Sequence, residues 1–166
     1  AIGGDTLINL SSNLADSNIA IGFGAGEAVT SGDNNTIVGA DAGDLITTGG
    51  NNVVIGVGAD VSANSATNQT VIGKGAIGLQ DNSVVLGNTD VTAWLPPDDN
   101  GVDLGATNYR FANLYVADMQ LSNENTDGNE VDGTTGNWSI QEGEEDLYLL
   151  NRKSGKKYKF KLEEVT

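Results

Sequence analysis

Residues 34–39 read Asn-Asn-Thr-Ile-Val-Gly, and seventeen positions on, residues 51–56 read Asn-Asn-Val-Val-Ile-Gly. The same frame reaches back to Ser-Asn-Ile-Ala-Ile-Gly (17–22) and forward to Asn-Gln-Thr-Val-Ile-Gly (68–73). Asn-Ser-Val-Val-Leu-Gly (82–87) follows after a repeat shortened to fourteen. The register holds between these motifs too. Ala25, Ala42 and Ala59 coincide, as do Val29, Ile46 and Ala63, while Gly32 and Gly49 fall on Ala66. A fixed period of this length marks a stacked repeat architecture.

Each period holds one short β-branched run, a glycine where the chain must bend, and a polar Asn-rich corner. This pattern predicts an all-β parallel solenoid with seventeen-residue rungs. A second, weaker strand is expected at 28–30 and 45–48. Gly22, Gly39, Gly56, Gly73 and Gly87 are the expected bends, since glycine accepts positive φ without strain. Asn34, Asn51, Asn68 and Asn82 are expected at the corners, stacked as a side-chain hydrogen-bond ladder. Residues 1–16 fit the frame poorly and read as a degenerate first rung. A single rung cannot bury its own apolar face, whereas stacked rungs form a continuous core. Residues 1–93 contain one aromatic, Phe23, so that core is thin. So slender a coil leaves much Val, Ile and Leu surface exposed. The expectation is therefore that several copies pack together, with a closed ring of three as the natural arrangement.

The rung motif Asn-(Ser/Asn/Gln)-(Val/Thr)-(Val/Ile)-(Ile/Val/Leu)-Gly over about residues 17–90 resembles the head repeats of trimeric autotransporter adhesins. That resemblance implies a left-handed parallel β-roll, trimeric, on a bacterial surface.

Composition changes at Pro96-Pro97. The other eight aromatics follow Phe23 only from Trp94 onward, and Lys74 is the only base before Arg110. Residues 94–100 read as a proline-marked cap or neck, because proline cannot donate to a strand ladder. Within it, Trp94-Leu-Pro-Pro is expected to plug the end of the solenoid. Residues 101–136 form a connector. Its Gly101-Val-Asp-Leu-Gly-Ala-Thr-Asn-Tyr-Arg-Phe-Ala-Asn-Leu-Tyr-Val116 resembles a segment common near the tips of phage tail fibres and tailspikes. Residues 137–166 form a C-terminal module. Asn137-Trp-Ser-Ile-Gln-Glu-Gly143 and Asp146-Leu-Tyr-Leu-Leu-Asn-Arg-Lys-Ser-Gly-Lys-Lys-Tyr-Lys-Phe160 look like the short terminal module of marine phage structural proteins. The residues themselves predict a β-meander there. Leu147–Leu150 and Tyr158–Leu162 are strand-like runs around the turn-forming cluster 151–155, and Trp138 with Ile140 adds a third strand. Tyr158, Phe160 and Leu162 alternate with Lys157, Lys159 and Lys161, which gives one apolar and one basic face. Those lysines and Arg152 are expected to meet Glu142, Glu144, Glu145 and Asp146.

The 166 residues carry 23 acids, 8 bases, no Cys and no His. The net charge of −15 argues against nucleic acid and anionic lipid as partners. Without Cys or His there is no thiolate or imidazole metal site and no Ser-His-Asp triad. Carboxylate pairs suffice for glycoside hydrolysis. Asp41 with Asp44, or Asp98, Asp99 and Asp103, are the candidates, but a slender rung offers little groove for a sugar chain. The loop 123–134 partly matches a calcium-binding pattern yet lacks its leading Asp and closing Glu, since position 134 is Thr. No catalytic residue, cofactor or metal is therefore expected. If the second half touches a receptor, Trp94, Tyr109, Trp138, Tyr148 and Arg152 are the candidate contacts. The functional expectation is a non-enzymatic tail-fibre or tailspike element of a virion. It would be homotrimeric, joined to other tail proteins, and would attach to a bacterial surface glycan or protein without inserting into membrane. The alternatives are the head of a bacterial trimeric adhesin at the cell surface and a polysaccharide depolymerase.

Overall fold

The computed structural model describes residues 1–9, 16–98, 101–124 and 126–161. Among them the fold is all-β, without a helix, and the chain divides into two compact units, Ala1–Asp99 and Asn100–Thr166.

The first unit is a parallel β-solenoid. Strands β1 (Ile19–Ile21), β2 (Thr36–Val38), β3 (Val53–Ile55), β4 (Gln69–Ile72) and β5 (Ser83–Leu86) form one sheet in chain order. Ala20, Ile37, Val54 and Val71 stand in register at a spacing of seventeen, and Val71 pairs with Val85 across the fourteen-residue rung. The described start of the expected first rung, residues 1–9, stacks on β1: Ile2 bridges Ile21, and its backbone exchanges hydrogen bonds with Ala20 and Gly22 at 2.9 and 2.8 Å, while residues 10–15 of that rung lie outside the described residues.

The core is a few narrow columns. Ala20, Ile37, Val54 and Val71 point inward against Ala25, Ala42, Ala59 and Ala76, all fully buried, with Val29 and Ile46 filling the far corner. Alanine fits where facing walls are close, and each buried Val or Ile contributes roughly 1.5–3 kcal/mol. The glycine column Gly22, Gly39, Gly56 and Gly73 bends the chain with φ of 135–140°. A Cβ on Gly39 would run into the carbonyl oxygen of Gly56 one rung away. These bends are the ones expected from the repeat.

Two expectations are corrected. The second strand at 28–30 and 45–48 does not form: those residues lie in turns and bends. The Thr47 carbonyl accepts from both Thr30 and Ser31 (2.9 and 3.1 Å), and the Asn64 carbonyl accepts from Thr47, Thr48 and Gly49. When one carbonyl serves two or three donors, the evenly spaced bonding of a parallel ladder is lost.

The ladder also lies one residue later than expected. Asn34, Asn51, Asn68 and Asn82 are exposed corner residues with φ of 53–60°, and the one side-chain bond among them joins Asn68 to Asn82 at 2.9 Å. The continuous column is Asn18, Asn35, Asn52 and Gln69. Asn18 Oδ1 accepts from the Asn35 backbone N–H and from Asn35 Nδ2 (2.9 and 3.1 Å). Asn35 Oδ1 takes the same pair of donors from Asn52 (3.1 and 3.0 Å). Asn52 Oδ1 accepts from the Gln69 N–H at 3.0 Å. The amide groups also donate to the carbonyls of Gly32, Gly49 and Ala66 at 2.7–3.0 Å. Asn35 and Asn52 are fully buried, and no buried side-chain polar atom among the described residues lacks a partner. The physical reason is division of labour. The first Asn of each pair spends its conformational tolerance on the bend, so the second aims its amide inward.

The second unit is a single antiparallel sheet of β6 (Asp118–Ser122), β7 (Asn137–Glu142), β8 (Leu147–Asn151) and β9 (Lys157–Lys159), in that order. The last three strands match the expected meander. Strand β6 falls in the stretch read as connector, and Leu162 lies outside the described residues.

Removal of a buried amide should cost more than removal of a corner one. Asn52→Ala leaves the Ala66 carbonyl and the Gln69 N–H unpaired, for about 3 kcal/mol. Asn51→Ala costs about 1 kcal/mol for left-handed backbone, and Asn51→Gly less. Urea midpoints of the three variants check this; N51A falling below N52A would contradict the ladder.

Candidate functional site

The solenoid sheet has two apolar faces, and the chain covers one of them. Ten side chains of β1–β5 alternate outward: Ile19, Ile21, Thr36, Val38, Val53, Ile55, Thr70, Ile72, Val84 and Leu86. Eight are aliphatic and none is charged. Ile19 and Val84 are more than half exposed, and Ile21 and Leu86 are 40% exposed. Parallel sheets are ordinarily covered on both sides, and aliphatic patches of this extent mark contact surfaces.

Among the expected receptor contacts, the structure keeps Trp94 apart. It lies in the first unit, 70% exposed, with Leu95 at 84%. The expected plug is therefore not made within the single chain, where Trp94 and Leu95 face outward rather than onto the last rung. The other four lie in the second unit. Tyr109 is 81% exposed and pairs with Ala106 through two backbone bonds of 3.0 Å. Trp138 and Tyr148 share the four-stranded sheet but point to opposite faces, since Trp138 pairs with Asn151 and Tyr148 with Gln141. Trp138 packs on Tyr158 with ring centroids 5.9 Å apart. Arg152 Nε donates to Ser139 Oγ at 2.8 Å, and Ser139 Oγ donates on to Gln120 Oε1 at 2.9 Å. Arg152 thus ties the turn to the sheet's polar face.

Among the described residues one of the expected ion pairs forms, while Arg152 turns to Ser139. Lys159 pairs with Asp146 at 2.8 Å, which holds the Asp146 carboxyl below its usual range and raises the lysine. Lys153 reaches Glu124 at 3.8 Å instead. The loop 123–134 is tied by its own side chains. Asn123 Oδ1 accepts from Gly136 N at 2.6 Å, and Asp132 accepts from the Thr134 hydroxyl and N–H at 2.7 and 3.0 Å, which lowers its pKa. Asn125 of that loop, like Asp99 of the carboxylate group, lies outside the described residues.

The carboxylate pair that forms is not Asp41 with Asp44. The Asp41 side chain lies over Gly24. Asp44 instead shares a hydrogen bond with Asp60 of the next rung. Asp60 is 9% exposed and accepts from Leu45 N and Val61 N at 3.0 and 2.8 Å. Burial above all, then the hydrogen bond to Asp44, pushes its carboxyl up to about 7, against the pull of those two N–H donors. The signal was in the repeat: position 60 aligns with Gly43 and Gly26, so an acid stands where the two preceding rungs carry no side chain.

The folded chain therefore holds this proton more tightly than the unfolded chain. Its contribution is complete below the ordinary carboxylate value of 3.8 and is lost as pH rises through about 7. Asp60→Asn is uncharged at every pH. The unfolding free energy of D60N minus that of the parent should therefore rise between pH 5 and pH 8, by about 3 kcal/mol at most. Parallel pH profiles for the two proteins would refute the shift.

Among known proteins, no family model, no curated protein and no solved structure matches the chain.

Proposed function

We propose that this chain is a distal element of a phage tail fibre or tailspike. In this reading it is a homotrimer whose left-handed roll extends the fibre and whose second unit serves attachment to a bacterial surface glycan or protein, on the tail of the virion. The observation that carries the proposal is the outward aliphatic column of β1–β5, free of charge on a chain of net −15. Self-association of so acidic a chain is opposed by its own field, so an uncharged, repeat-spaced strip is the surface through which copies can meet. The likeness of residues 101–116 and 137–160 to tail-fibre segments supports the phage reading over the adhesin head, which rests on the rungs alone.

The depolymerase reading has the Asp44–Asp60 pair as its best support. Asp60 is buried and its oxygens already accept two backbone N–H groups. A carboxyl so engaged is held for the stack rather than presented to a glycosidic bond, and we favour a role without bond cleavage.

Light scattering should give about three times the chain mass of 17.1 kDa. Ile55→Lys, in the middle of the outward column, should shift the equilibrium toward monomer by at least about tenfold. A stable folded monomer of the parent chain would overturn the trimer. Binding to a panel of bacterial strains and to a glycan array tests attachment, and a trimer that binds nothing on either would leave a purely structural role. Sustained release of reducing ends from bacterial capsule would overturn the non-enzymatic reading.

A further inference from the structure

The second unit has no core of its own. Among its described residues only Ser139 is fully buried, and it is polar. The strand register sorts its side chains cleanly. Met119, Leu121, Trp138, Ile140, Leu149 and Tyr158 share one face, with Met119, Leu121 and Tyr158 37–47% exposed. The opposite face is mostly polar, with Leu150 and Tyr148 standing among Asp118, Gln120, Ser139 and Gln141, which are tied by side-chain bonds of 2.9 Å. A one-layer sheet with a bare apolar face does not hold as a folded unit; such a face needs a second layer.

The sheet's edges say what supplies it. Among the described residues, the order β6-β7-β8-β9 leaves β6 and β9 unpaired on their outer sides. One row crosses the whole sheet: Asp118, Gln141, Tyr148 and Lys159. It begins with an acid on one edge and ends with a base on the other. The next row runs from Gln120 to Lys157. The first edge thus carries a carboxylate where the second carries two lysines. Three antiparallel steps separate the edges, so β6 and β9 run in opposite directions, and β9 of another copy laid beside β6 continues the antiparallel order. Such a contact joins two different surfaces of one chain, and it closes into a ring when the rotation allows.

We infer that the second unit is completed by other copies of this chain, β6 of each pairing edge to edge with β9 of the next, so that three sheets close with their apolar faces inward. Asp118 then meets Lys159 of the neighbouring copy, and Lys159 shares its charge between Asp118 and the Asp146 of its own chain. The inference rests on the homotrimer reading and adds to it a heterologous interface, distinct from the solenoid column.

The chain has no cysteine, so engineered ones report without background. Asp118→Cys with Lys159→Cys in one chain, and separately Gln120→Cys with Lys157→Cys, are treated with a short bismaleimide. Its reach of about 10 Å tolerates a register slip of two residues, roughly 7 Å of strand. The expected product is a covalent trimer from at least one pair, at parental melting temperature, with each single-cysteine variant left largely uncoupled. A trimer by light scattering that gives no cross-link with either pair, or only covalent dimers, overturns this interface and leaves the homotrimer standing. A monomer by light scattering overturns both.

Discussion

In the column Asn18, Asn35, Asn52 and Gln69, the side-chain oxygen of each asparagine accepts from the backbone of the rung after it, and the amides of the three asparagines donate to a corner carbonyl. A strand that slipped by one residue would leave a buried donor and a buried acceptor unpaired, at roughly 1–3 kcal/mol each. It would also turn its inward side chains outward. The amide column therefore fixes register, and register places everything else. It puts Ala25, Ala42, Ala59 and Ala76 in one line and leaves the glycine bends touching carbonyl to Cα. Gln69 ends the column because its longer side chain reaches Ser62 Oγ at 2.6 Å and Asp81 at 3.2 Å, spanning the corner where the fourteen-residue rung begins.

A rung this tight has room for alanine on one wall and a single Val or Ile on the other. Its inward column alone cannot use the aliphatic residues of the sheet, and the strands carry more of them outward than inward. Parallel strands read as continuous apolar runs when both faces are covered. Here Val53-Val54-Ile55 is such a run, with Val54 fully buried and its two neighbours part-exposed. The aliphatic outward face thus follows from rung width, which in turn follows from a period of seventeen.

The period, the glycine bends and the parallel stack were legible in the sequence because each is written four or five times over. What repeats weakly was read less well. The Asn-Asn pair offers two candidates for one ladder, and the sequence does not say which asparagine turns the corner. That depends on φ at Asn34 and Asn51, which residue identity permits but does not impose. The segments 28–30 and 45–48 look strand-like by composition, yet shared carbonyls at Thr47 and Asn64 break their pairing. Strand β6 was missed because Asp118-Met-Gln-Leu-Ser122 alternates too briefly to stand out beside the glycine- and asparagine-rich loop that follows. Asp60 escaped because the eye follows what the repeat keeps, whereas this residue matters for what it changes.

The acids follow the same logic. Residues 1–95 carry nine, and eight of them lie exposed, away from both apolar columns; only Asp60 goes inside. The second unit separates its charges differently, with Glu142, Glu144, Glu145 and Asp146 around one turn and Arg152, Lys153 and Lys156 at the other end of the same hairpin. In the solenoid charge is kept off the aliphatic face and placed at corners and turns, and in the second unit it gathers at turns, strand ends and edges. Mutual repulsion between chains of −15 then acts at the periphery, where water and salt screen it over about 8–10 Å. The surfaces without charge are left as the places where copies can approach. A strongly acidic composition and the close self-contact of the proposed trimer are compatible because the repeat assigns charge and aliphatic surface to different positions of every rung.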